Sequence, residues 1–359
     1  GVIIADAKEA FKEVVEKTNV PVVTTVMGRG AIPTNHPLFI GNLGMHGAYA
    51  ANMAVSECDL LFSIGTRFND RITGKLHEFA PHAQIVHIDI DTAAISRNIH
   101  VDVPIVADAK DAITKMNEYV VPCKTKKWLD EIDEWQHVHP LTMKKHAEMG
   151  PMDIIGEINR QFDEAIIVTD VGQHQMFAAQ FTEITEKKQI IMSGGLGTMG
   201  YGFPGAIGAK LGNPDKPVIM ISGDGGMQMN IQEFATAVLE ELPVILCVFN
   251  NTYLGMVRQW QKLFYGKRYG MTDLRAGALT RRTNGEEKPE YTPDFIKLAE
   301  SYGAKGIRVT KTDEIAAAFE EAKKNTKVPT LIEFIIDPEE MVFPMIKPGG
   351  TLEEMIIEC

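Results

Sequence analysis

The chain has 359 residues, 45% hydrophobic and 23% charged, the make-up of a soluble globular protein with room for two ordinary cores. A formal net charge of −12 argues against a nucleic-acid surface, and no apolar stretch approaches the roughly 18 to 20 residues of a membrane span. Cys58, Cys123, Cys247 and Cys359 are widely spaced without a C-x-x-C pair, so they read as reduced thiols, and with no secretory segment the expected compartment is cytoplasmic.

In chain order, Gly1-Val2-Ile3-Ile4 reads as a strand without a lead-in, and the absence of an initial Met suggests a fragment or a processed product. A helix is expected over Asp6 to Lys17, with Ala10, Phe11, Val14 and Val15 on one stripe, followed by a buried strand over Val22 to Val26. The alternation continues with a helix over Ala48 to Ser56 and strands over Leu60 to Ile64 and Gln84 to Ile90. This predicts a doubly wound parallel-sheet α/β domain over residues 1–118. Its loops Thr24 to Pro33, Gly44-Met45-His46-Gly47 and Gly65 to Gly74 each follow a strand or open a helix, where ligands of open sheets bind. Arg67 and Arg71 suit a diphosphate or a carboxylate, although either one alone reads as a surface ion pair.

Residues 119–150, rich in charge and proline, read as an interdomain linker with an amphipathic helix over Lys127 to Val138 carrying Trp128 and Trp135. A second doubly wound α/β domain is expected over 151–340, opening with a helix from Pro151 to Phe162 and a strand from Ala165 to Thr169. Its loop Asp170-Val171-Gly172-Gln173-His174-Gln175 is followed by the glycine-rich run Ser193 to Pro204, which lets backbone approach a ligand closely. The apolar run Pro217 to Ile221 reads as a buried strand that turns at Gly223-Asp224-Gly225-Gly226. Asn230 and Glu233 look like a capping pair for a helix from Ile231 to Glu241, and a strand from Val244 to Phe249 delivers Asn250-Asn251. Parallel strands joined by a crossover end on one side of the sheet, so Asp224 and the asparagines share an edge. Hard oxygen donors there suit magnesium or calcium, and glycine amides suit a phosphate. A turn cap at Asp224 and a plain strand end at Asn250-Asn251 is the bland alternative. Met256 and Trp260 follow at one-turn spacing. Residues 277–292 read as an exposed polar loop, and the tail 341–359 as a possible lid.

The GDG motif followed by NN across one strand-helix-strand unit resembles the thiamin diphosphate motif. Taken with the first-domain loops, the chain resembles the biosynthetic acetohydroxyacid synthase (acetolactate synthase) large-subunit family, without its N-terminal pyrimidine-binding domain. The resemblance implies Mg2+ held by Asp224, Asn251 and the Tyr253 carbonyl. It implies thiamin diphosphate contacts from Val171, Gly172, Gln173, His174, Gly197, Met199, Gly223, Asp224, Gly225, Gly226, Asn251, Tyr253, Gly255 and Met256, with Gln173 and His174 donating to phosphate oxygens. A catalytic base is the competing reading of His174. Met256 and Trp260 would line the pocket of the second keto acid. The first domain would be a central FAD-binding domain using Met45, His46, Gly47, Gly65, Arg67, Asp70, Arg71, Asp89, Asp108 and Ala109, with FAD in a structural role. The implied reaction joins pyruvate to pyruvate or 2-oxobutanoate with loss of carbon dioxide, opening branched-chain amino-acid synthesis. A homodimer or homotetramer with a small regulatory subunit is implied, with no nucleic acid and no membrane. The catalytic Glu is expected to be absent from this chain, which would then be inactive alone. Pyruvate oxidase and glyoxylate carboligase are the neighbouring enzyme readings, and a non-catalytic cofactor-binding module is the reading from another class.

Overall fold

The computed structural model describes residues 1–143, 146–275 and 292–358. Among these, residues 1–143, 183–186 and 343 onward form one compact unit, and residues 146–182 and 187–342 form another. The loop expected over 277–292 falls, apart from Thr292, outside the described residues.

In the first unit, β1 (Val22–Thr24) pairs in parallel with β2 (Phe39–Asn42). A second parallel sheet has the order β3 (Leu60–Ile64), β4 (Gln84–Asp89), β5 (Val103–Val106). The helices are α1 (Lys8–Thr18), α2 (Tyr49–Ser56), α3 (Asp70–Thr73), α4 (Ala109–Met116) and α5 (Lys126–Val138). The strand expected at Gly1 to Ile4 is a set of turns: the carbonyls of Gly1 and Val2 accept from the amides of Ala5 and Ala7, each at 2.9 Å, so they join no ladder. The division near residue 118 also shifts. Helix α5 buries Ile132 against the alanine face of α2, formed by Ala50, Ala51 and Ala54, and Trp128 and Trp135 meet edge to face at 5.5 Å beside it. An amphipathic stripe that finds a face of small residues packs there, and the segment becomes part of the first unit. The tail does the same: Ile346 and Leu352 enter the core beside Leu43, Phe68 and Phe79, and Met345–Ile346 pairs antiparallel with Met355–Ile356.

The second unit runs α6 (Pro151–Gln161), β6 (Ile166–Thr169), α7 (Gln173–Phe181), β7 (Gln189–Met192), α8 (Gly202–Gly212) and β8 (Val218–Gly223). It continues with α9 (Asp224–Met227), α10 (Glu233–Leu239), β9 (Ile245–Asn250), α11 (Gly255–Phe264), α12 (Phe295–Ser301), β10 (Lys305–Val309), α13 (Ile315–Lys324) and β11 (Thr330–Ile335). The sheet is parallel throughout, in the order β10-β11-β9-β8-β6-β7. Every residue of β6, β8 and β9 is buried, which is why these strands are unbroken apolar runs: helices cover both faces. The chain leaves β6 to one side to make β7 and returns to its other side to make β8. The strand order therefore reverses between β6 and β8, and the crevice outside their carboxyl ends is the switch point where open α/β sheets take ligands. Both units are α/β with parallel sheets, the expected class. No helix among the described residues is long and apolar enough to cross a membrane.

Candidate functional site

Asp170 ends β6 at the switch point and is buried. Its Oδ2 accepts from the amides of Gly202 at 2.8 Å and Gly200 at 2.9 Å, and its Oδ1 from that of Val171 at 2.7 Å. The glycine-rich run is thus hung from one carboxylate through charge-assisted bonds. Gly200, at φ 88°, is gripped from the other side as well: its carbonyl accepts from Asn230 Nδ2 at 2.7 Å. This overturns the expected capping pair. Asn230 reaches across to Gly200, α10 begins only at Glu233, and no side chain caps it. Gly197 is exposed and Met199 half-buried on this run.

Val171 and Gly172 lead into α7, whose first residues are Gln173 and His174, both buried. The His174 ring donates to the backbone carbonyl of Asp170, while its Nε2 is buried with no partner. Burial pushes its pKa down to about 4, against the pull of nearby Asp170, so the ring is neutral at neutral pH. With Nδ1 as the donor, Nε2 carries a bare lone pair. Gln173 differs from expectation. Both N–H groups of its side chain are used, on Gln259 Oε1 at 2.8 Å and the Glu340 carbonyl at 3.0 Å, so this side chain offers the site an acceptor oxygen and not a phosphate donor.

Asp224 follows directly on β8, only 4% exposed. Desolvation raises its pKa to about 7, although the amides of Gly225 and Thr252 favour its charged form; nearby Glu333 adds to the rise. Gly223 of β8 pairs with Phe249 of β9, so the turn after Asn250 lies beside Asp224. Asn250 donates to buried Glu333 at 2.7 Å, and Glu333 in turn accepts from Arg308 Nε at 2.7 Å. Asn250 Oδ1 accepts from the Thr252 amide at 3.0 Å and Asn251 Oδ1 from the Tyr253 amide at 3.0 Å, a tight turn in which Thr252 takes φ 62°. The Tyr253 ring lies between the guanidinium groups of Arg258 and Arg275, at 4.8 and 5.1 Å.

Gly225 and Gly226 open α9 beneath Asp224. A Cβ on Gly225 would lie 2.8 Å from Leu254, 3.4 Å from Leu274 and 3.7 Å from Met199, so three apolar side chains converge on bare backbone. Gly255 starts α11, which carries Met256 and, one turn on, Trp260, both half-buried; the Trp260 ring meets Phe264 edge to face at 5.7 Å. One carboxylate, one carboxamide and one carbonyl suit Mg2+, which takes few protein ligands and completes its octahedron with phosphate oxygens and water. Among the described residues there is no group of three or more His, Cys, Asp or Glu side chains able to hold a metal, so such an ion would depend on a ligand of its own. Asp170, Glu333, Gln259, Leu254 and Leu274 were not among the expected site residues. Asp170 carried a legible signal, a carboxylate directly after an apolar run, as at Asp224.

In the first unit the expected residues gather less tightly. Gly65, Arg67 and Asp89 stand at the carboxyl ends of β3 and β4, close enough for Asp89 and Arg67 to act on the Gly1 amine. The Met45 amide donates to the Arg71 carbonyl at 2.8 Å, and its carbonyl accepts from Ile346. His46 faces the Pro344 carbonyl at 3.4 Å, with burial pushing its pKa down to about 4. Gly47 is buried. Asp70 and Arg71 are exposed and pair with each other at 3.3 Å. Asp108 caps α4 by accepting from the Lys110 amide at 2.8 Å, and Ala109 is buried in the core.

Residues 170–334 match the family described as thiamine pyrophosphate enzyme, C-terminal TPP binding domain, and residues 1–116 match the thiamine pyrophosphate enzyme, central domain. A probable acetolactate synthase large subunit of Methanocaldococcus jannaschii is 43% identical over 99% of this chain and 59% of its own length. One of Methanococcus aeolicus is 44% identical over 99% and 60%. The acetolactate synthase large subunit of Cyanidium caldarium is 41% identical over 99% and 60%. The chain thus spans about three-fifths of the length of these curated relatives.

Proposed function

We propose that this chain, which belongs to the thiamine pyrophosphate enzymes, forms the central and diphosphate-binding parts of an acetolactate synthase large subunit. The reaction assigned to the whole enzyme joins pyruvate to pyruvate or to 2-oxobutanoate with loss of carbon dioxide. The observation that carries this reading is the meeting, at one sheet edge, of buried Asp224, the Asn250-Asn251 turn and the partnerless Nε2 of His174. Each is an unusual group to bury unless a ligand completes it.

Bound thiamin diphosphate supplies an electron sink that lets a 2-keto acid lose carbon dioxide and add to a second carbonyl. The chain's own residues would hold it: Asp224, Asn251 Oδ1 and the Tyr253 carbonyl would take Mg2+, while the backbone at Gly225 and Gly226, free of side chains, would lie against the diphosphate. His174 must gain a proton on Nε2 before it can donate to phosphate, so anion binding and proton uptake are coupled there. Met199, Leu254 and Leu274 keep water from the cofactor, and Met256 and Trp260 wall the second keto acid. FAD is assigned, in a structural role, to the strand ends of the first unit around Gly65, Arg67 and Asp89. The acid that hydrogen-bonds the pyrimidine ring is assigned to a part of the enzyme outside this chain, in a homo-oligomer with a regulatory subunit.

Calorimetric titration of the chain with thiamin diphosphate, with and without Mg2+, tests the binding. Metal-dependent saturation is expected, and its absence would refute the site. An acetolactate assay with pyruvate and all three cofactors tests the last assignment, since turnover at the rate of a whole synthase would place the acid within these residues.

A further inference from the structure

Gln259, the acceptor for Gln173, is buried one turn into α11. Its carboxamide closes a ring with the backbone of Val342: Oε1 accepts from the Val342 amide at 2.9 Å, and Nε2 donates to the Val342 carbonyl at 2.9 Å. The two ends of a carboxamide are alike in shape and opposite in chemistry, so only the partners fix its orientation. A backbone N–H can only donate and a carbonyl only accept, which leaves Gln259 one orientation. The segment that presents Val342 is itself tied to α11, through Arg258 Nη1 on the Pro338 carbonyl at 2.9 Å and Lys262 on Glu339 at 2.7 Å.

That orientation is handed on. Gln259 Oε1 also accepts from Gln173 Nε2 at 2.8 Å, and Gln173 Nε2 gives its second hydrogen to the Glu340 carbonyl at 3.0 Å. Gln173 Oε1 is therefore left facing Asn251 Nδ2, at 3.5 Å the longest link in the chain. Asn251 is turned with Oδ1 on the other side, where it accepts from the Tyr253 amide. Gly255 keeps the passage open: a Cβ there would fall 2.0 Å from Gln173 Oε1 and 2.8 Å from Asn251 Nδ2.

We propose that Gln259 is a positioning residue which, through Gln173 and together with the Tyr253 amide, holds the Asn251 carboxamide with its oxygen and not its NH2 group toward Mg2+. The inference rests on the function proposed above and adds to it a residue that supports the polarity of the metal ligand. Partners bonded directly to a metal ligand are worth about 10 to 100-fold in metal affinity, and Gln259, one link further back, is expected at the lower end of that range.

The test measures, by calorimetry on the full chain, thiamin diphosphate binding with and without Mg2+ for wild type, Gln259→Leu and Gln259→Glu. Thermal unfolding of each ligand-free protein serves as a folding control. Gln259→Leu is expected to bind Mg2+ about 10-fold more weakly while its metal-free affinity for thiamin diphosphate is unchanged. Gln259→Glu sets a carboxylate against the Val342 carbonyl, so its Mg2+ affinity relative to wild type at the same pH should recover as the pH falls and the carboxyl regains a donor. Equal Mg2+ affinity in wild type and Gln259→Leu, or an equal loss with and without metal, would overturn the proposal. If Gln259→Leu does not fold, the glutamate variant decides, and a ratio to wild type that stays flat with pH counts against the relay. A wild-type chain without metal-dependent binding would instead refute the functional reading, and the inference with it.

Discussion

The strand ends of the two units are built differently. In the second unit the polar residues of the sheet edge are held from behind: Asp170 by three amides, Asn250 by Glu333, Asn251 by Gln173, and Gln173 by Gln259. In the first unit Arg67, Asp70 and Arg71 are exposed. The first arrangement is preorganised, with the cost of ordering its polar groups met during folding, whereas in the second much of that ordering is left to binding. A chemical site needs the former, and a site that only holds a cofactor tolerates the latter.

The largest effect expected from breaking the preorganised edge is at Asp224. Asp224→Asn removes the single carboxylate of the proposed Mg2+ set, so metal-dependent binding of thiamin diphosphate should fall by more than about 100-fold, beyond what a change behind a ligand causes. The same substitution should raise the melting temperature of the ligand-free chain at pH 8, because it deletes a carboxylate that is charged and desolvated there. A variant that binds normally, or unfolds earlier, would mean that Asp224 is a structural cap.

Asp170→Ala comes next. It leaves the amides of Val171, Gly200 and Gly202 without their charged acceptor, and a loss of about 3 kcal/mol is expected in denaturant unfolding at pH 7. A loss under about 1 kcal/mol would show that the glycine run holds its own shape.

The pH dependence is smaller and has a definite sign. The folded pKa of Asp224, about 7, lies above its ordinary 3.8, so its contribution favours the fold at low pH and is lost as pH rises from about 4 through 7. Mg2+ bound as proposed would take only the charged form and compete with that proton. Its affinity should therefore be weaker at pH 5.5 than at pH 8, by on the order of 10-fold, and flat above pH 8. Calorimetry at the two pH values checks this, with Asp224→Asn as the control that should lose the difference.

The readable parts of this edge were those made by neighbours in sequence. Asp224 and Asn250-Asn251 each end an apolar run, and an apolar run of that length between turn signals is a buried strand. What could not be read are the roles made by residues far along the chain: Gly200 for Asp170, 30 positions on, and Glu333 for Asn250, 83 positions on. Glu333 had a faint signal of its own, an acid interrupting the apolar run of β11. Gly1 to Ile4 misled because an apolar tetrapeptide reads as a strand whether or not a partner strand exists. The helix over Lys127 to Val138 was legible from its stripe, but the charge around it made the segment read as a linker and hid that the stripe is enough to dock it on α2.

The smallest effect on stability is expected in the first unit, and it is the sharpest check on the contrast. Arg67 stands exposed just past β3, with its backbone carbonyl accepting from Asn98 at 3.2 Å, a bond that survives a change of side chain. Arg67→Ala should thus change the unfolding free energy by no more than about 0.5 kcal/mol, the usual range for an exposed position. If the strand ends of β3 and β4 take FAD, the lost guanidinium should still weaken FAD binding by about 10-fold, the worth of one charge-assisted hydrogen bond. Quenching of flavin fluorescence on titration with the chain reads the second quantity, and denaturant unfolding the first. A large loss of stability would show that this edge is preorganised like the other one, and the contrast between the two units would fail. Unchanged stability with unchanged FAD affinity would keep the contrast and remove Arg67 from the flavin site.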